Sequence, residues 1–399
     1  MDELPILDLD FTDQEPLPGE AVRRANELMQ SGHLFRYGES SGGEPDAALL
    51  EAEFAALIGR RYCVAFNSCG ASLAVTLMAA GVERGDAVLT NAFTLAPVPG
   101  AIVHAAAEPV LVGITRDYHI DLEDLARVAT RTGARWLLVS YMRGHVPDMH
   151  RLMDVCDAAG ITVIEDCAHT MGAGWGGRPT GVFGVAGCFS TQSFKHVNSG
   201  EGGLMVTDDE DLAARAILLS GSYMLYEQHG ARPGSEVFER HRLTTPNLSM
   251  RMSALAAALV RPQLALLSDR AERWNALYAR LADQLGDDPR VRVPVRHPNE
   301  TFVASSIQFT VDSLAPATMA EWVDMAAAHG VFVKWFGRPE PEGFTSRFDH
   351  WRYIPEQAPA GAAHVLAGLC DLRIPLSMTF EQADTIVQIM RGSLDAVSR

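Results

Sequence analysis

Thr162-Val163-Ile164-Glu165-Asp166-Cys167-Ala168-His169 and, further along, Gly187-Cys188-Phe189-Ser190-Thr191-Gln192-Ser193-Phe194-Lys195 decide how this chain is read. The first is an apolar run ending in two carboxylates. The second is an apolar run leading to a lysine, with the glycine-rich stretch Asn198-Ser199-Gly200-Glu201-Gly202-Gly203 behind it. Continuous apolar strands of this kind belong to a sheet covered on both faces. In parallel α/β sheets, ligands bind beyond the carboxyl ends of the strands. Both runs therefore deliver reactive side chains to the same edge. A lysine confined there has its pKa lowered and becomes a nucleophile, which makes Lys195 a candidate, with a solvated loop lysine as the alternative. If strand alternation persists, Glu165 points away from Asp166.

Outward from this pair, short apolar runs alternate with amphipathic stretches from about residue 60 to 210. Strands are predicted at 62–66, 87–90, 109–112, 136–140, 162–164, 187–190 and 203–207, and helices at 71–80, 122–130 and 149–159, with Asp121 as an N-cap. This is the α/β class. Past Arg251 a long helical pattern runs from about 253 to 285 and ends at Gly286-Asp287-Asp288-Pro289. A strand at 307–311 and helices near 319–329 and 380–397 follow. The expected division is a large α/β domain over 1–255, including an N-terminal arm, and a smaller C-terminal α+β domain over 256–399.

Composition narrows the function classes. With 47% apolar and 21% charged residues the chain has the balance of a globular protein, and no window approaches a membrane span. The acidic start Met1-Asp2-Glu3-Leu4-Pro5 lacks the features of a secretory signal, so the expected location is the cytoplasm. A formal charge of −17 without a basic cluster argues against nucleic acid as a partner. The six cysteines are scattered in apolar contexts and read as reduced core residues; no metal site is expected. Cys69 stands apart because of the turn that holds it.

That turn, Asn67-Ser68-Cys69-Gly70-Ala71-Ser72-Leu73, leads from a strand into a helix and aims backbone N–H groups at an anion. The amides of Gly70 and Ala71 would bind a phosphate. Asp166, at its strand end, can pair with a pyridinium nitrogen and hold the ring protonated as an electron sink, or it can simply cap a helix. An amine, a ring-pairing acid and a phosphate cradle are together the requirements of pyridoxal phosphate.

Taken in order, the segments Ser68-Cys69-Gly70-Ala71-Ser72-Leu73, Ala92-Phe93-Thr94-Leu95, Glu165-Asp166-Cys167-Ala168-His169, Phe189-Ser190 through Lys195 to Gly200-Glu201-Gly202-Gly203, and Asn247-Leu248-Ser249-Met250-Arg251-Met252 resemble the DegT/StrS family of sugar and aminocyclitol aminotransferases. The resemblance is strong over roughly residues 30 to 265. It implies a fold-type I pyridoxal-phosphate transferase with a mainly parallel seven-stranded sheet, active as a homodimer. Lys195 matches the Schiff-base lysine, Asp166 the pyridine partner, His169 the residue beside the cofactor's phenolic oxygen, and Ser190 a phosphate-binding serine. The family's cross-subunit phosphate asparagine falls on Ser249, with Asn247 two residues earlier as the alternative. Gly70 replaces the usual threonine. Leu95 stands where an aromatic usually stacks on the ring, leaving stacking weaker or supplied by Phe93. Gln192 is more like the aminocyclitol branch than the nucleotide-sugar branch.

The segment 333–353 is rich in aromatic and cationic groups within an acidic chain. Lys334, Trp335 and Arg338 could wall the acceptor pocket. The alternative is a packed loop or dimer contact anchored by Trp335 and Trp351. The reaction implied is transfer of an amino group from an amino acid, glutamate or glutamine, to a keto-sugar, nucleotide-linked sugar or cyclitol ketone, with pyridoxamine phosphate between the two halves. A sugar dehydratase of the same family would carry histidine in place of Lys195, although His196 adjoins it. A regulator that only binds the cofactor would need a partner module, which the chain does not offer.

Overall fold

Seven short strands assemble into one sheet in the order Tyr62–Phe66, Gly203–Thr207, Ala186–Ser190, Thr162–Asp166, Trp136–Ser140, Ala87–Asn91, Glu108–Val112. The computed structural model describes residues 4–37, 44–312, 314–343 and 347–398. Residues 1–3 of the acidic N-terminus and 344–346 of the aromatic segment lie outside the described residues. Every strand of this sheet except Gly203–Thr207 runs in one direction, as its pairings show. The expected strands are all present, shifted by at most two residues at their ends.

Alternation along the strands separates two apolar layers. Cys63, Ala65, Leu204 and Val206 face a layer containing Phe54 and Phe189, whose rings meet edge to face at 5.1 Å. Val64, Phe66 and Met205 face the opposite layer, with Leu73 and Leu77. Helices therefore cover both faces, as the apolar strands require. Their starts follow capping chemistry: the side chains of Asp121 and Asp148 accept backbone N–H bonds at the heads of Leu122–Thr132 and Met149–Ala159. The helix expected at 71–80 begins earlier, at Cys69, because the Ser68 hydroxyl accepts the Ala71 N–H at 3.0 Å.

The C-terminal part is a four-stranded antiparallel sheet in the order Val291–Arg292, Ser306–Val311, Leu369–Arg373, Lys334–Trp335. Helices Leu267–Gly286, Pro316–Ala328 and Phe380–Val397 close over it, burying Leu281, Trp322, Phe309 and Ile386. One expectation is corrected here. The single helical run over 253–285 is two helices, Ala254–Leu264 and Leu267–Gly286; Pro262 removes a backbone donor from the last turn of the first. Ala254 and Ala258 of that first helix pack with Leu28 of the N-terminal helix Gly19–Ser31, whereas Leu7 and Phe11 join the C-terminal core. Along the second helix Leu267 still packs in the core of the large sheet, whereas Trp274 joins that of the small sheet, as do Leu7 and Phe11 of the N-terminal arm.

A further apolar cluster joins the two parts. Phe93, Tyr118 and Met142 from the large sheet's edge meet Phe336, Phe348, Trp351 and Leu366. Phe336, Phe348 and Trp351, three of the six aromatic side chains in 333–353, are used up in this contact.

Candidate active site

The strand Thr162–Asp166 turns its last two carboxylates to opposite sides. Glu165 is fully buried and accepts the Tyr141 hydroxyl at 2.8 Å and the backbone N–H groups of Gly181, Phe183 and Gly184 at 2.7 Å each. Burial raises its pKa and these four bonds oppose the rise. Its role is to pin the 181–184 turn under the sheet. Glu165→Ala leaves the buried Gly181 and Gly184 amides and the half-buried Phe183 amide without an acceptor and is expected to cost about 3 kcal/mol or more, read as a lower urea midpoint.

Asp166 faces the other way, into a cavity of about 450 Å³ at the carboxyl edge of the sheet. Its Oδ2 accepts the Ser140 hydroxyl at 2.6 Å and its Oδ1 the Ala168 N–H at 3.1 Å. Ser140 is braced in turn by the Thr94 hydroxyl at 2.8 Å. Burial raises the Asp166 pKa, opposed by these hydrogen bonds and by the charge of Lys195.

Lys195 reaches the same cavity from a tight turn. The chain leaves the Ala186–Ser190 strand, and Thr191 and Gly202 pair through Thr191 N–H to Gly202 C=O at 3.0 Å. A side chain on Gly203 would place its Cβ 2.5 Å from the Ser68 backbone. Glycine there lets the returning strand lie against the head of the Cys69–Ala80 helix, which brings Ser68, Cys69 and Gly70 beside Lys195. The Lys195 Nζ lies 2.6 Å from His169 Nε2. Burial, followed by the charge of Arg143, lowers the amine to about 8. Burial and the same neighbouring cations push His169 well below its usual range, leaving it neutral and able to accept a hydrogen bond from Lys195.

The sequence profile of the DegT/DnrJ/EryC1/StrS aminotransferase family matches residues 18–391. The chain belongs to this family. It is 33% identical over 287 residues, 71% of each chain, to the spore coat polysaccharide biosynthesis protein SpsC of Bacillus subtilis. It is 34% identical over 276 residues to L-glutamine:scyllo-inosose aminotransferase of Streptomyces griseus, covering 68% of this chain and 63% of that relative. The structure of 3-amino-5-hydroxybenzoic acid synthase superposes with a TM-score of 0.82 over 99% of this chain and 100% of that one, at 20% identity, which speaks to the fold. The aminotransferases of this family depend on pyridoxal phosphate, and the side chains present fit it: a buried acid, an amine beside it and a helix start that can receive an anion.

The structure brings Lys195, Asp166, His169, Ser190, Gln192, Gly70 and Leu95 to this one cavity. Gly70 leaves room, since a Cβ there would meet nothing closer than 3.9 Å. The Ala71 amide is used by the Ser68 cap, so the Gly70 amide is the better placed of the two for an anion. Gln192 braces the turn, its Oε1 accepting the Phe194 N–H at 2.9 Å. Phe93 does not supply ring stacking: it is buried against Phe336 at 5.1 Å, away from the cavity. His196 is packed on Trp274, and burial lowers it to about 3. Burial holds the Cys69 thiol well above its usual pKa, so it is a poor nucleophile despite its position.

Asn247 and Ser249 lie outside this cavity and bond to each other, Asn247 Oδ1 accepting the Ser249 N–H at 3.0 Å and its hydroxyl at 3.1 Å. The three residues expected at the acceptor wall separate. Trp335 is a core residue whose indole N–H donates to the Ala367 carbonyl at 2.7 Å. Arg338 pairs with Glu342 at 3.1 Å and Asp324 at 3.5 Å. Lys334 stands opposite Asp371 in the small sheet. None of the three lines the cavity among the described residues.

Sequence reading passed over Ser140, Thr94, Arg143, Glu201 and Arg373, all of which line the cavity. Ser140 ends a predicted strand and was findable by the carboxyl-edge rule. A second signal was also available: the chain has two lysines, Lys195 and Lys334.

Proposed function

We propose that this aminotransferase holds pyridoxal phosphate on Lys195 and moves an amino group from glutamine or glutamate to the ketone of a sugar or cyclitol. The observation that carries the reading is the Lys195 amine, 2.6 Å from neutral His169, in a cavity floored by buried Asp166. The naming of the Streptomyces griseus relative for glutamine and scyllo-inosose supports that donor and that class of acceptor.

When bound, pyridoxal phosphate supplies an aldehyde that captures the amino group and a ring that takes up the electrons left at the donor carbon. Lys195 would hold it through its amine, and the free Lys195 amine, lowered to about 8, would carry a proton away from the donor Cα and return one. Asp166, kept in place by Ser140 and Ala168, holds a proton on the ring nitrogen with its negative charge. His169 orients the Lys195 amine. The head of the Cys69–Ala80 helix, with the Gly70 amide and Ser190, receives the phosphate. Leu95 contributes an apolar wall for the ring. The test is single-turnover conversion of the loaded protein by L-glutamine, followed by return with a panel of cyclitol and sugar ketones; no amino transfer from any donor would remove the reading.

We also infer a homodimer with shared sites, in the cytoplasm. Phe35, Tyr223 and Met224 are about half exposed, and the Arg251 guanidinium lies over Phe35 and Tyr223 at 5.5 and 4.9 Å. Ser249 sits on this apolar patch with a left-handed backbone, φ 55. Such a patch beside Asn247 and Ser249 suits a contact that carries one of them to the partner's phosphate site. Mixing Lys195→Ala chains with chains carrying Asn247→Ala and Ser249→Ala is expected to restore about a quarter of the sites by random pairing. A fully active monomer would contradict the shared site. Among the described residues no helix is long and apolar enough to cross a membrane.

A further inference from the structure

We propose that His196 and water held in a small chamber adjoining Lys195 form a proton relay, through which the Lys195 amine exchanges protons with solvent at the N-terminal arm. The relay rests on the aminotransferase reading above, in which Lys195 carries a proton, and supplies the route by which that proton comes and goes.

A second cavity, of about 50 Å³, adjoins the one floored by Asp166; Phe194, Lys195 and Arg373 border both. Its size decides what it can hold. Sites for organic ligands run from about 300 Å³ upward, whereas a water needs about 10–15 Å³, so the chamber has room for roughly three or four waters. His196 borders it and is 1% exposed, yet neither of its ring nitrogens has a hydrogen-bond partner among the described residues. Buried polar atoms are almost always paired with protein or ordered water, and internal waters gather where such atoms face a cavity. The ring is held in place: Trp274 meets it edge to face at 5.3 Å, and the Trp274 indole N–H is tied to the Ile374 carbonyl at 2.9 Å. The backbone around it is fixed as well. Arg270 donates to the His196 carbonyl at 3.0 Å, and Gln263 brackets Asn198, accepting its N–H at 3.0 Å and donating to its carbonyl at 2.7 Å.

A neutral imidazole carries one N–H and one lone pair, so it can take a proton from one water and release another to the next. His196 stays neutral because burial, followed by the charges of Lys195 and Arg270, lowers it to about 3. It therefore passes a proton without retaining it. One end of the path is Lys195. The other is the arm, where Asp13 is exposed and half-buried Glu15 bridges Arg270 at 3.2 Å and Arg273 at 2.7 Å. When ligands fill the larger cavity and exclude water from it, the chamber is where Lys195 still meets solvent. A proton passes from the Lys195 ammonium to the adjoining water as His196 accepts one at its free nitrogen and gives up the one on the other to water at the arm. No charge builds up on the ring, and its tautomer reverses.

The test compares the unmodified protein with His196→Phe, which keeps a ring against Trp274 and loses both nitrogens, and with His196→Gln, which restores a donor and an acceptor. The first measurement is nuclear magnetic resonance of the cofactor-free protein labelled with nitrogen-15 histidine, the signals lost in either variant identifying His196. Magnetisation is expected to pass from water to its ring N–H, with the ring neutral near neutral pH. A ring N–H that receives none, or a ring already protonated there, would overturn the relay. In the second, the cofactor-loaded protein is given L-glutamine alone in heavy water, and exchange of the Cα hydrogen for deuterium is compared with conversion to the keto acid. His196→Phe is expected to lower the ratio of exchange to conversion by ~10-fold or more, with His196→Gln recovering part of it. A ratio unchanged in both variants, or equal loss of exchange and conversion, would sink the proposal, because a merely structural histidine moves the two together. If the unmodified protein converted no amino donor, the reaction reading would fall, and the water contact of the His196 ring would still decide the relay.

Discussion

Lys195→Ala is expected to abolish attachment of pyridoxal phosphate to the chain and to slow both half-reactions by ~1000-fold or more, since it removes the attachment point and the proton carrier together. In the unmodified protein, borohydride should fix the cofactor onto the 195-containing peptide as a stable secondary amine, read by mass spectrometry. The experiment is unusually clean here because the chain offers one competing side-chain amine, Lys334. Lys334 lies across the small sheet from Asp371 and does not line the cavity among the described residues. A label on Lys334 would dismiss the assignment. The environment argues for Lys195: burial lowers its amine to about 8, so a usable fraction is neutral near pH 7 without a separate base.

Asp166→Asn is expected to keep the fold and much of the cofactor while reducing turnover by ~100-fold or more. The exchange is nearly isosteric, and an asparagine carbonyl can still accept the Ser140 hydroxyl that now bonds Asp166 at 2.6 Å. What disappears is the buried negative charge. Burial alone drives this carboxyl toward its neutral form, and only Ser140, Ala168 and the Lys195 charge oppose that. A protonated ring nitrogen is the partner that would stabilise the charge, so the loss should fall on kcat more than on cofactor retention. Circular dichroism and the cofactor absorption establish that the variant is folded and loaded; turnover within a few-fold of the parent would take Asp166 out of the reaction.

The seven strands, the caps at Asp121 and Asp148, and the opposite facing of Glu165 and Asp166 were legible in the sequence. Each depends on period-two alternation or on a bond between residues two or three apart. Ser68 shows the limit of that reading: its hydroxyl draws the helix start back to Cys69 and takes up the Ala71 amide that a phosphate was expected to use.

The chain itself thus determined the α/β class and the arrival of Lys195 and Asp166 at one cavity, because a strand's register fixes which residues reach the carboxyl edge. Only the tertiary structure decided what surrounds them. Phe93 and Trp335 looked suited to a ligand and instead fill cores, because an aromatic ring packs wherever its neighbours exclude water most completely. Arg143 and Arg373 carried no local signal, since they come from parts of the chain that meet only when the two sheets are docked. Charge acts through space, so a cationic cluster around Lys195 is a property of that docking and not of any short segment of sequence.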